Sequence, residues 1–104
     1  MILRAEMPGE AAAIGALITA AFATAAHADG TEAAIMGRLR DSGDLLLSLV
    51  AADAGGLLGH IAASPVIIGG VAGWACIAPV SVAPAAQRQG VGTALMRAAL
   101  AELQ

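Results

Sequence analysis

"QRQGVGTALMRAAL", Gln87 to Leu100, is the stretch on which the reading of the chain turns. It leaves the apolar, proline-broken run "CIAPVSVAP", Cys76 to Pro84, and sets three polar residues and two glycines ahead of an Ala/Leu-rich segment. A turn that only reversed direction would not need glycines on both sides of Val91. A strand, a glycine-rich turn and a helix start together make an anion site, because the first amides of a helix lack internal partners and the macrodipole favours negative charge there. Glycine at 90 and 92 keeps side chains out of the approach, and Thr93 adds a hydroxyl to the first turn. Arg88 and Gln89 are placed to add contacts.

The kind of phosphate ligand narrows by elimination. A P-loop needs Gly-Lys-Ser/Thr, and the chain has no lysine. The dinucleotide fingerprint G-x-G-x-x-G fails as well, since Leu95 stands in the third glycine's place and no acidic residue follows at the required distance. Another pyrophosphate binder remains.

Outward from this turn, Gly90 to Gln104 reads as a helix with Leu95, Met96, Ala99, Leu100 and Leu103 on its apolar face. Before it, "GWACIAPVSVA" reads as a strand that Pro79 interrupts, because proline cannot donate to a ladder, so a bulged or splayed strand is expected. Residues 45 to 68, "LLLSLVAA", "DAGG" and "LLGHIAASPVII", read as an antiparallel hairpin. Further upstream, "MILRA" suggests a short strand. Pro8 suits a first helical position and Glu10 the positive helix end, with a helix to about Ala25 whose stripe is Ile14, Leu17, Ile18 and Phe22. Asp29, Gly30 and Thr31 offer a break and a cap before a second helix lined by Ile35, Met36 and Leu39, which stops near Gly43. The predicted order is strand, helix, helix, three strands, helix, an α/β (α+β) arrangement in one domain spanning residues 1–104.

Composition limits the partners. With 104 residues, 59% of them hydrophobic, one modest core is expected and disorder is not. A net charge of -3 with five basic residues offers no basic stripe, so nucleic acid is a poor partner. The lone Cys76 cannot form an internal disulfide, two histidines give no zinc set, and a cytoplasmic setting fits. No signal peptide is visible, as "MILRAEMPGE" puts charges and a proline where an apolar region would lie. A mean hydropathy of +0.81 raises a membrane alternative, with spans at 11 to 26 and 61 to 86, but Pro65, Pro79 and Pro84 argue against a regular helix in the second.

Gln87-Arg88-Gln89-Gly90-Val91-Gly92 matches the Q/R-x-x-G-x-G/A signature, and "APVSVAPAAQRQGVGTALM" resembles the fourth strand, loop and third helix, of the GNAT superfamily of N-acetyltransferases. The order of the upstream elements resembles it too. The resemblance implies a GNAT-like acyl-CoA N-acyltransferase fold, with a mixed, mostly antiparallel sheet flanked by helices. It implies acetyl-CoA as cosubstrate without a metal, its pyrophosphate held by backbone amides around Gln87, Arg88, Gln89, Gly90, Val91, Gly92 and Thr93. Val80 and Val82 would offer backbone groups to the thioester end and the pantetheine arm, with the Val80 N–H facing the oxyanion. An amine acceptor, small molecule or protein amino group, would attack the thioester directly. The family's general acid is often a tyrosine, and this chain has none. GNAT domains usually continue past this helix, so the chain reads as a domain truncated after the third helix, with an exposed sheet edge open to homo-oligomers. The alternative is a catalytically incomplete CoA-binding or protein-interaction module.

The remaining polar residues divide between chemistry and packing. His60, on a predicted strand, is a candidate base if it faces an acceptor channel, and otherwise a half-buried, hydrogen-bonded side chain. His27 reads as capping or solvated, Cys76 as a small core residue, Trp74 as packing, and Glu6, Glu10 and Glu32 as solvated helix-end charges. Ser81 lies between Val80 and Val82 and points to the opposite sheet face.

Overall fold

Period-two alternation and short turns zip the middle of the chain into one antiparallel sheet. The computed structural model describes residues 1–23 and 32–103. Four strands, β1 (Ile2–Ala5), β2 (Leu47–Asp53), β3 (Gly56–Ile68) and β4 (Val71–Val82), lie in the order β1-β2-β3-β4 with every neighbour antiparallel. The Asp53 carboxylate accepts the Gly55 N–H at 2.8 Å and so closes the β2–β3 turn on itself. Gly69 and Gly70 close the β3–β4 hairpin, which pairs Ile68 with Val71.

Three helices cover the two faces of this sheet: α1 (Ala11–Phe22), α2 (Glu32–Ser42) and α3 (Val91–Glu102). On one face Ile14 and Ile18 of α1 and Met36 of α2 pack on Val50 and Ala62. On the other, Val91, Leu95 and Ala99 of α3 pack on Leu49, Ala51 and Ile61. The middle of β3, Gly59 to Ala63, is buried throughout because helices press on both its sides.

Several expectations need correction. Pro8 does not open the first helix. It lies in a turn closed by the Glu10 N–H on the Met7 carbonyl at 3.1 Å. Glu10 precedes the helix and is committed elsewhere: its carboxylate takes two bonds from Arg4, at 2.8 and 2.9 Å, and one from the Met7 N–H at 2.6 Å. These bonds, Arg4 first, hold its pKa down to about 2. The first helix ends at Phe22 rather than Ala25, and His27 and the expected Asp29–Thr31 cap lie outside the described residues. Trp74 and Cys76 are exposed, because the helices cover only the inner half of the β3–β4 hairpin. Leu100 and Leu103 are exposed as well: Leu100 lies roughly 100° round the helix from the buried Ala99, and Leu103 follows the end of α3. No described helix is long and apolar enough to cross a membrane, and residues 61–86 form strands and a short 3-10 turn (Pro84–Ala86) instead of a span.

The seat of α3 depends on Gly59. A Cβ there would lie 2.9 Å from both the Ser81 carbonyl oxygen and Leu95 Cδ1, and 3.0 Å from Val91 Cγ1. Leucine can shift, but a strand carbonyl cannot move without losing its ladder. Gly59→Ala is therefore expected to cost ~1–3 kcal/mol, by analogy with overpacked cores. Gly92→Ala, whose Cβ would meet only Val82 Cγ2 at 3.6 Å, is expected to leave urea stability unchanged or raised by ~0.5 kcal/mol.

Candidate active site

Pro79 breaks the regular pairing of β4. Ile61 stands opposite Val80 while Ala63 stands opposite Ile77, so Ala78 and Pro79 together face the single residue Ala62. Beyond this bulge the ladder resumes, and the Ala83 N–H donates to the Leu58 carbonyl at 2.8 Å. Alternation along an antiparallel strand then turns the Ser81 backbone groups toward β3 and those of Val80 and Val82 toward the open edge. The Val82 carbonyl on that edge is met by the Gln87 side-chain amide, which donates at 3.1 Å.

The chain then turns tightly into α3. Arg88 adopts a left-handed conformation, φ 66°, rare for a residue with a Cβ, and Gly90 another at φ 83°. Gly90 is the N-cap and has no side chain with which to satisfy the helix. The first bond into α3 runs from the Ala94 N–H to the Gly90 carbonyl at 3.0 Å. Among the described residues, no hydrogen bond engages the backbone N–H of any residue from 88 to 93. Most Ncap positions carry Ser, Thr, Asp or Asn to absorb such donors. Here the donors stay bare beside the end of an edge strand. The Gln89 amide donates back to the Ala85 carbonyl at 3.3 Å, so Gln87 and Gln89 brace the turn with their side chains. Arg88 and Thr93 are exposed. On the other side of Val80, an apolar hollow of about 290 Å³ is lined by Phe22, Ile35, Ala78, Pro79 and Val80. No cluster of metal-ligating side chains occurs among the described residues.

His60 lies in a different setting from an open channel. It is fully buried, and its Nε2 is 2.7 Å from the Ser48 hydroxyl. Desolvation lowers its pKa to about 4, with Arg40 acting in the same direction and Glu6 opposing, so the ring is neutral at pH 7. This corrects the expectation of a base titrating near neutrality. Ser81 shares the His60 face, as its position between Val80 and Val82 requires, and is 1% exposed. Glu6 is not a solvated charge: it pairs with Arg40 at 2.5 Å, with both side chains about four-fifths covered. Burial alone would raise the Glu6 carboxyl, but the Arg40 guanidinium and the Ser48 hydroxyl outweigh it, and the pKa falls below the ordinary value.

An acetyltransferase (GNAT) domain model matches residues 44–104, more than half of the chain. The chain belongs to the GNAT acetyltransferase family. A crystal structure of a GNAT family acetyltransferase from Brucella melitensis in complex with acetyl-CoA is 47% identical, with a TM-score of 0.94, over 98% of this chain and 67% of that one. The N-acetyltransferase YhbS of Escherichia coli, crystallised with CoA, is 34% identical, with a TM-score of 0.88, over 98% of this chain. The chain spans 55% of the length of that protein. Ribosomal-protein-alanine N-acetyltransferase of Brucella melitensis shares the fold, at 21% identity and a TM-score of 0.72. No functionally curated protein matches the chain.

Within this GNAT fold, sequence reasoning missed Gly59, Ser48 and the Arg40–Glu6 pair. A glycine inside an otherwise apolar strand is a signal of close backbone approach, and Gly59 carried it. The ion pair joins residues 34 positions apart and left no local trace. The buried His60 makes a pH prediction. Its folded pKa is depressed, so between pH 6.5 and about 4 the unfolded chain binds a proton that the folded chain refuses, and stability falls as pH drops. The loss is expected to be about 2 kcal/mol between about pH 6.5 and pH 5. Urea titrations across that window should show the slope in the native protein and its absence in His60→Gln.

Proposed function

We propose that the chain binds acetyl-CoA and transfers its acetyl group to an amine acceptor by direct attack on the thioester. The observation that carries this reading is the run of six unengaged amides from Arg88 to Thr93 at the mouth of α3. An aligned set of peptide N–H groups at a helix start binds a diphosphate through short, charge-assisted hydrogen bonds. Arg88 adds a positive charge without covering the mouth. Gly90 supplies the left-handed turn from which the helix and its bare donors start. The Brucella and E. coli relatives with acetyl-CoA and CoA support the same ligand class.

The open edge of β4 completes the site. Val80 and Val82 present N–H groups there, with the spacing of a strand awaiting a partner, which suits an extended pantetheine arm. The Val80 N–H lies next to the apolar hollow, and a donor fixed in such surroundings stabilises an oxyanion better than one in water. The acceptor amine enters from that hollow, whose Phe22, Ile35 and Pro79 walls favour an uncharged, deprotonated amine at the point of attack. Gln87 and Gln89 act on the ligand through the turn that they brace. His60 has no route to the acceptor from its buried position; as the new amide C–N bond forms and the C–S bond breaks, the proton lost from the nitrogen passes to solvent at the mouth of the site and the departing CoA thiolate takes one up from it.

Calorimetric titration with acetyl-CoA and with desulfo-CoA tests the reading, since both share the pyrophosphate. Binding of both is expected, and a folded sample that gives no heat with either ligand defeats the proposal. Gly90→Ala forces a Cβ into a left-handed position at roughly 1 kcal/mol and turns the amides away, so affinity for both ligands should fall at least about tenfold. Arg88→Ala should weaken both about threefold, and the difference should shrink at high salt.

A further inference from the structure

The bulge in β4 decides what lines the hollow beside Val80. Ile77 and Val80 both pack on the α3 side, so Ala78 and Pro79, which together face Ala62, are left to the side that carries α1 and α2. There Phe22, the last residue of α1, and Ile35, in the first turn of α2, close over them to form the hollow of about 290 Å³. Phe22 is held by the cluster of Ile14, Ile18 and Met36 behind it, and Pro79 is buried. Ile35, 43% exposed, stands at the rim.

None of the five lining side chains carries a charge or a hydrogen-bonding group, and Pro79 lacks even a backbone N–H. A polyamine would need a carboxylate on these walls, and a sugar amine would need hydroxyls or amides. The Glu6 carboxylate on this face of the sheet is paired with Arg40 and does not line the hollow. An ammonium or a hydroxyl pressed against such walls gives up its hydration for nothing in return, whereas an apolar group gains from the same transfer. Size narrows the choice further. A cavity of roughly 150 Å³ takes up one benzene, so about 290 Å³ suits a phenyl ring on a short tether or a chain of about four to seven carbons.

The geometry points to an acceptor that carries an apolar group, an alkyl chain or a single aromatic ring, beside its primary amine. That group fills the hollow between Phe22, Ile35 and Pro79 and so brings the nitrogen up to Val80, where the acetyl carbonyl is held. The selectivity is for what the acceptor lacks as much as for what it has: a second charge at the far end of the chain finds no partner among these walls. This inference rests on the proposed function, which puts the thioester at Val80.

N-Pentylacetamide, the product that pentylamine would give, reports on the hollow without any turnover. Titrated into the full chain in the presence of CoA, it should shift the Ile35 Cδ1 methyl signal in carbon-13 NMR. Affinity should rise about threefold for each methylene added from N-ethylacetamide to N-pentylacetamide. N-Acetylcadaverine, which has the same chain and a terminal ammonium, should bind at least about tenfold more weakly. Ile35→Asp, a change at the exposed rim, should reverse the order of these two amides. Equal affinity for both, an affinity that stays flat along the alkyl series, or an Ile35 signal that does not move overturns the apolar acceptor. A folded chain that takes up neither acetyl-CoA nor CoA overturns the function instead, and the amide series then still decides the chemistry of the hollow.

Discussion

A methyl group at position 59 would sit 2.9 Å from the Ser81 carbonyl, and this absence of room fixes where α3 can lie. Because Val91 and Leu95 rest directly over Gly59, the first turn of α3 is held against the end of β4 rather than a side chain's width away. The bare amides of residues 88–93 and the open backbone groups of Val80 and Val82 thus come to share one edge. Neither feature alone makes a ligand site. A helix mouth in solvent hydrates its donors, and an edge strand pairs with whatever extended chain it meets.

The two faces of the sheet are built on different physics. The α3 face is wholly apolar, from Leu49 and Ala51 to Leu95 and Ala99, and its energy comes from burial and close contact. The α1–α2 face combines a small apolar cluster with ion pairs at its rim. Arg4–Glu10 ties the start of α1 back to β1, and Arg40–Glu6 ties the end of α2 to the same corner. With three apolar residues of α1 and one of α2 fully covered, that face has little burial energy to spare, so oriented charge holds the helices in place where the α3 face relies on packing.

What could be read from the sequence was what is encoded locally. The turn from Gln87 to Gly92 carries its chemistry in six adjacent residues, and the bulge at Pro79 follows from one missing donor. Strand order came from apolar runs and glycine turns that lie side by side. What was not legible depends on pairings between distant positions. The His60 side chain looked ambiguous because its environment is set by residues 6, 40, 48 and 81, none of them within ten positions. Trp74 and Cys76 sit in an apolar strand pattern that says nothing about how far the helices extend over the hairpin. Leu100 is apolar but lies roughly 100° round the helix from Ala99, off the buried stripe of Val91, Leu95 and Ala99. Pro8 was drawn out of the helix by Glu10, whose carboxylate is more strongly engaged by Arg4 than it would be by the helix dipole.

The strand that ends at the turn has its three outlets divided by alternation. The side chains of Val80 and Val82 face α3 and pack there, their backbone groups face the open edge, and only Ser81 reaches the α1–α2 side. Besides the Gln87 amide on the Val82 carbonyl, the contacts that reach this end of β4 from within the protein are the apolar packing against α3 and the Ser81 side of the sheet. Packing against α3 sets position but is indifferent to the direction of a dipole. Behind Ser81 on that side lie the His60 imidazole, the Ser48 hydroxyl and the Arg40–Glu6 pair, polar groups in a layer whose other buried residues, Ile14, Ile18, Met36, Val50 and Ala62, are apolar.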